Sequence, residues 1–171
     1  MPELPPLKQL LFGDLWNEFA TTRRVIERVP PDRLDWRPHP KSWPLGALAT
    51  HLATLPLWLR GMVEGDDFDL ATLPPGGQAI PSHDEILQRF DQEVGALRTA
   101  FDAMDDEALL RPWTLRRGEH TILTVPKGAI LRQLGVSHIV HHRGQLSVYL
   151  RLLDVPVPNI YGPTADEPAP F

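Results

Sequence analysis

Cysteine is missing altogether from the 171-residue chain. Its absence excludes disulfides, thiolate metal sites and a protein-borne thiol nucleophile together. Any sulfur chemistry here would have to draw its sulfur from a small molecule. No apolar run approaches the roughly 20 residues that a bilayer-spanning helix needs, so no membrane attachment is expected. Basic charge is scarce as well: 17 Lys and Arg face 22 Asp and Glu, for a formal net charge of −5. The basic residues are scattered, and Arg23-Arg24 and Arg116-Arg117 are only dipeptides. A mildly acidic chain without a basic stripe is not expected to bind nucleic acid. The start, Met1-Pro2-Glu3-Leu4-Pro5-Pro6, has no basic residue and no apolar stretch. It does not read as a secretory signal, and a cytoplasmic protein is the expectation.

Proline is plentiful, at 19 residues, and clusters at 2–6, 30–44, 74–81 and 156–170. Because proline lacks an N–H and clashes with the preceding turn, helices are sought between the clusters. Over 7–29, Leu11, Leu15, Phe19, Thr22, Ile26 and Val29 recur at steps of three or four and form one apolar stripe. Over 44–64, Leu45, Leu48, Leu52, Leu55, Leu59 and Met62 do the same, with Ser42 placed as an N-cap and Pro44 in the first turn. Pro56 falls inside that helix and should kink it or loosen one turn. Residues 65–81 read as a loop, centred on Pro74-Pro75-Gly76-Gly77 and long enough to cross a bundle, with Asp66-Asp67 solvated. Ser82 and Glu85 then match a capping box. Ile86, Phe90, Val94, Leu97, Phe101 and Met104 mark a third helix.

The helical period breaks at 111–125, where Trp113-Thr-Leu and Thr121–Val125 flank Arg116-Arg117-Gly118-Glu119, a pattern that suits a short hairpin or an extended loop. From Pro126 to Leu153 a last helix is expected, with Leu131, Leu134, His138, His142, Gln145, Tyr149 and Leu152 on one face. The proline-rich stretch 154–171 reads as an extended tail over the helices. One domain spanning 1–171 is expected, with an all-α four-helix bundle as its fold and room for a hairpin before the last helix.

Chemistry concentrates in the histidines. His138 and His142 are four apart, which puts both rings on one helical face with Cβ atoms about 5–6 Å apart. Two such nitrogens can converge on one ion. The Glu that follows the first His in metalloprotease helices is replaced here by Ile139, so that general base is missing. His51 shares a side of its helix with Leu48, Leu55 and Trp58, which makes it the best third ligand. His39, His83 and His120 fall in a loop, a first turn and the hairpin region. His141 lies about 100° around the axis from His142 and should leave the shared face. The five tryptophans read as packing, and Arg143 as half of a structural ion pair. Gln145 and Tyr149, one and two turns beyond His142, are candidates for orienting a ligand or a water.

The segment His138-Ile-Val-His-His142-Arg-Gly-Gln145 resembles the His-x-x-x-His-Arg-Gly-Gln signature of the DinB/YfiT-like family of metal-dependent proteins. Lys41-Ser-Trp43-Pro-Leu-Gly46-Ala-Leu-Ala-Thr-His51-Leu resembles the segment that brings the family's first His, and Pro156–Glu167 resembles an ending found in part of it. The similarity runs over nearly the whole chain. It implies a four-helix bundle, often a homodimer, with His51, His138 and His142 holding one divalent ion. Nickel or zinc is the usual occupant it implies, with manganese or iron as alternatives. It also implies, for some relatives, S-transferase chemistry with a low-molecular-weight thiol. Three His ligands leave coordination positions open, as in catalytic rather than structural sites. The leading expectation is therefore a metal-dependent transferase using a small-molecule thiol. Metal-assisted hydrolysis and a non-enzymatic, metal-stabilised dimeric bundle stay open beside it.

Overall fold

A computed structural model describes residues 5–72 and 80–168. Its helices are α1 (Leu7–Phe12), α2 (Leu15–Glu27), α3 (Leu45–Glu64), α4 (His83–Ala103), α5 (Lys127–Ile130) and α6 (His138–Leu152). A π-helical segment, Leu131–Ser137, joins α5 to α6. The strands are β1 (Asp67–Asp69), β2 (Pro112–Arg117) and β3 (His120–Pro126). No described helix is long and apolar enough to cross a membrane. The Pro74–Gly77 centre of the expected loop lies outside the described residues.

The stripes of the first three helical spans are where their spacing puts them. Leu15, Phe19 and Ile26 of α2, Leu45, Leu48, Leu52, Leu55 and Leu59 of α3, and Ile86, Phe90 and Leu97 of α4 are buried in one cluster. α2 and α3 each pack on both α4 and α6, so α2 and α3 sit diagonally across the core. The loop 65–81 is long enough to cross the bundle, but the helices it joins, α3 and α4, are spatial neighbours, and its residues Asp67–Asp69 add β1 to a sheet edge. The crossings are made by 28–44 and 104–126.

An all-α fold does not describe the chain. The expected hairpin is present as β2 and β3, turning at Gly118-Glu119 with an irregularity after Leu115. A third strand, β1, lies parallel to β2 and makes a three-stranded sheet in the order β1-β2-β3. Three residues carrying two aspartates give no strand signal of their own. The strand is held from outside, by Arg116, whose Nε is 2.6 Å from Asp67 Oδ2 and whose Nη1 is 2.6 Å from Asp69 Oδ2. Asp66 pairs with the buried Lys127 at 2.8 Å. Asp66 and Asp67 are thus ion-paired rather than simply solvated.

Three local corrections bear on the site. The first helical span divides at Gly13-Asp14, because Arg132 takes Asp14 in a bidentate pair at 2.8 and 3.0 Å and also donates to the Leu11 carbonyl. Ser42 does not cap α3; the cap position is Pro44. The freed N–H groups of Leu45 and Gly46 instead donate to the carbonyls of Trp36 and Leu34, each at 2.8 Å. Gly46 is needed there, since a Cβ would stand 3.0 Å from Leu34 Cβ and 3.2 Å from Leu34 O. The Ser82–Glu85 capping box is present, with Glu85 N–H donating to Ser82 Oγ at 3.3 Å and Ser82 Oγ–H donating to Glu85 Oε1 at 3.0 Å. α3 runs through Pro56 as one helix.

The last span departs most. Leu131 of the expected stripe is buried, but within α6 the buried residues are Ile139, Arg143, Leu146 and Leu150, one step around the axis from the stripe read in the sequence, and Leu152 is exposed. The π-helical segment changes the phase ahead of α6, because i→i+5 bonding puts more residues in a turn. It also brings the backbone against α3: a Cβ on Gly135 would lie 2.7 Å from Leu59 Cδ2.

Arg143 is 1% exposed and Glu18, its partner on α2, is 7% exposed. Arg143 Nη2 lies 2.6 Å from Glu18 Oε2, while Nη1 donates to Glu18 O at 3.0 Å and to Thr22 Oγ1 at 3.3 Å. The structural ion pair expected of Arg143 is therefore present, and its partner Glu18 lies outside the apolar stripe of the first span although it is buried. The tail lies over the same spot. Tyr161 Oη donates to the Glu18 carboxylate, with both oxygens at 3.0 Å, and Asp166 and Glu167 pair with Arg151 and Arg24. Removing one partner of a buried pair leaves an uncompensated charge. Arg143→Ala is expected to cost about 3–5 kcal/mol in urea unfolding. Glu18→Leu/Arg143→Met, which removes both charges, is expected to recover most of that loss; a double variant as unstable as the single one would contradict the assignment.

Candidate metal centre

α3 and α6 pack side by side, and His51, His138 and His142 meet in the seam between them. The buried face of α6 carries Ile139 and Arg143, so the adjacent face carries His138 and His142 half-buried toward α3. His51 is half-buried on the facing side of α3. One donor atom from each ring lies within 4.8 Å of one from each of the others. His138 Nε2 is 3.3 Å from His51 Nε2 and 2.7 Å from His142 Nε2. Nitrogens about 2.0–2.1 Å from a shared ion stand roughly 2.9–3.4 Å apart for bond angles between square and tetrahedral. The spacing found is of that order.

The donor set fits a cation chemically too. His142 Nδ1–H donates to Gln145 Oε1 at 2.7 Å, which leaves Nε2 as the lone-pair nitrogen facing the cluster. Burial, with the neighbouring His142 and His138 rings adding to it, pushes the His51 imidazole down from 6.5 to about 4. Burial likewise lowers His138, with His142 and His141 adding to it. It lowers His142 as well, against the hydrogen bond to Gln145. Three uncharged rings turned nitrogen to nitrogen are a poor arrangement by themselves and a good one around a positive ion.

Among the described residues no Asp, Glu or fourth His joins the group. His141 is exposed, with its ring 4.8 Å from that of His142, and stays outside the cluster as its helical phase dictates. His39 accepts from Lys41 N–H, His83 Nε2–H donates to Ile26 O, and His120 sits at the hairpin turn. Of the two candidate orienting residues, Gln145 touches His142. Tyr149 does not reach the cluster; its ring packs edge-on to Trp36, with centroids 5.7 Å apart.

Reading the tryptophans as packing holds for Trp113, which is fully buried, and misses Trp43. The Trp43 ring lies nearly parallel to that of His142, at 13° with centroids 5.7 Å apart, and edge-on to His51 at 5.2 Å. Trp58 stands edge-on to His51 at 6.4 Å and stacks on Phe68 of β1 at 5.7 Å. Helical phase from His51 marks Trp58, seven residues on. Trp43 and Phe68 depend on chain crossings that no local period reveals.

Comparison with known proteins shows the family and the fold. The sequence model of the DinB superfamily matches residues 17–146. An uncharacterized protein of Bacillus subtilis (strain 168), YrdA, is 25% identical over 163 residues, covering 90% of this chain and 87% of its own. The crystal structure of a DinB-like protein from Bacillus cereus ATCC 10987 superposes with a TM-score of 0.66 at 19% identity, covering 88% of this chain and 95% of that one. A second DinB-like protein, YjoA from Bacillus subtilis, gives 0.68 at 16% identity over 89% and 96%. At these identities the two structures speak for the fold alone.

The low His51 value has a testable sign. A base whose folded value lies below its unfolded one leaves the unfolded chain to take up protons first as pH falls. The metal-free protein should therefore lose stability as pH drops from 6.5 toward 4. An NMR titration of the His51 Cε1 proton is expected to show a midpoint near 4; a midpoint at the ordinary imidazole value would contradict the buried, uncharged cluster.

Proposed function

This chain belongs to the DinB superfamily, and on that premise we propose that His51, His138 and His142 hold one divalent ion, nickel or zinc, for transfer chemistry with a small-molecule thiol. The observation that carries this reading is the convergence of three neutral imidazole nitrogens with no fourth protein ligand among the described residues. A structural site closes its coordination sphere with protein, whereas an open sphere admits a small molecule. A divalent ion held there would lower the pKa of a thiol bound to it and so supply thiolate near neutral pH.

The chain's own residues define the rest. With no cysteine, the protein cannot provide the sulfur, which suits an exogenous thiol. Gln145 holds the His142 tautomer through Nδ1 and so aims Nε2 at the shared point. Trp43 and Trp58 hold the His51 ring edge-on between them and limit how far it can rotate. Hydrolysis would ask for a base beside the bound water. Among the described residues no carboxylate joins the cluster, which favours the thiol reading over hydrolysis.

Metal analysis of the purified protein should find an ion that is lost in His138→Ala/His142→Ala; unchanged content in that variant would remove the metal assignment. With cobalt as the probe ion, adding ethanethiol is expected to bring a new near-ultraviolet charge-transfer band, and an unaltered spectrum would remove the thiol step. Gln145→Ala should weaken cobalt binding by about 10–100-fold, the usual effect of losing a group that orients a ligand, as read by competition with a chelator.

A further inference from the structure

Trp43 is 49% exposed although it is among the largest apolar side chains in the protein. One face of its ring lies over His142, so the exposure belongs to the other face and the edges. Trp58 also stands edge-on to His51 and is backed by Phe68. The two indoles come from different parts of the fold. Trp43 precedes α3 on the 28–44 crossing, which the Leu45 and Gly46 N–H groups tie down. Trp58 lies within α3, and Phe68 on the sheet edge. Independent elements thus converge on one aromatic surround.

No described charged side chain is bonded to the histidine rings. Among the described residues, no Lys, Arg, Asp or Glu side chain forms an ion pair or a hydrogen bond with the three histidine rings, and Gln145 is their only side-chain partner besides one another. The rings therefore bring no bonded charge of their own to a ligand's body. A flat, uncharged ligand body would find π faces and edges, and aromatic pairs favour such offset and edge-to-face contacts.

We propose that Trp43 and Trp58, backed by Phe68, form an aromatic subsite beside the histidine cluster that receives the planar, uncharged body of the small molecule whose donor atom reaches the ion. The substrate class is thus an aromatic or similarly flat apolar compound. Both tryptophans set specificity, since they would grip the part of the molecule that does not react. The proposal rests on the open metal centre described above and is independent of whether the donor atom is sulfur.

The test uses the full-length, cobalt-loaded protein and reads ligand affinity from the cobalt absorption spectrum. Two pairs of probes are titrated: 4-phenylimidazole against imidazole, and benzenethiol against ethanethiol. The phenyl member is expected to bind at least about tenfold tighter in the wild type, from the apolar area it covers. Trp43→Ala and Trp58→Ala should each shrink that ratio by about 3–10-fold, the range for one aromatic contact; the ratio is taken within each variant, so a change in the affinity for imidazole itself cancels. Trp43→Phe should keep the preference. Because Trp43 is half exposed, its alanine variant tests the proposal even if Trp58→Ala fails to fold. Equal phenyl preference in the wild type and in Trp43→Ala would overturn the subsite. If the thiols leave the spectrum unaltered while the imidazole pair shows the ratios, the subsite stands and the thiol reading falls. If none of the four probes alters the spectrum, the open centre and the subsite fall together.

Discussion

Arg143 follows His142 directly and points about 100° away from it around the helix axis. Its guanidinium is drawn into the core by Glu18, the Glu18 carbonyl and Thr22, all on α2. Burying a charge is tolerable only with such a set of partners, so α6 has one acceptable rotation against α2. That rotation decides where the neighbouring side chains go. With Arg143 facing α2, His138 and His142 face the seam with α3, where His51 waits. Leu146 and Leu150 continue the buried face one and two turns on, so apolar burial and ion pairing demand the same orientation. Tyr161 covers the pair from outside, its hydroxyl on the Glu18 carboxylate and its ring 5.2 Å from the Arg143 guanidinium. The tail thereby belongs to the same lock.

The rise of α6 is set as tightly as its rotation. Gly135 in the π-helical segment lets the backbone lie against Leu59 of α3, where a Cβ would stand 2.7 Å from Leu59 Cδ2 and push that side chain aside. At the other end of α3, Gly46 lies close to Leu34 of the crossing, where a Cβ would stand 3.0 Å from Leu34 Cβ. Between them, the rings of His51 and His142 are flanked by Trp43, Trp58 and Gln145.

Much of this was legible in the chain before any coordinates. Three of the four long apolar stripes need only a 3.6-residue period, and the i,i+4 spacing of His138 and His142 with the phase of His51 picks out the three rings that meet. What was hidden has physical causes. The stripe of α6 is misread by one position because a π-helical segment precedes it and because the true buried face contains an arginine, which no hydrophobic pattern would include. Glu18 is concealed for the same reason from the other side of the pair. Strand β1 exists through Arg116, nearly fifty residues downstream, so a local window shows only aspartates. Trp43 joins the site through a crossing connection held by backbone bonds from the start of α3 to Leu34 and Trp36. Its neighbouring Ser42 advertised a side-chain cap that Pro44 and those carbonyls made unnecessary.

The electrostatics of the centre follow from the same division of labour. The core spends its one buried arginine on Glu18, and the surface carboxylates near the sheet are spent on Arg116 and Lys127. Among the described residues no charged side chain pairs with the three histidine rings. Neutral ligands leave the charge of a divalent ion uncompensated by the protein, and a partly dry, aromatic setting screens that charge less than water would. Such an ion attracts an anionic donor more strongly than one balanced by carboxylates, which is why a three-histidine set suits the capture of a weak acid in its ionised form. The aromatic walls add shape without adding charge. On the proposed reading, affinity for the donor atom and selection of the body attached to it would be separate properties of this site. The first would reside in three histidines on two helices, and the second in tryptophans that the surrounding fold brings to their side.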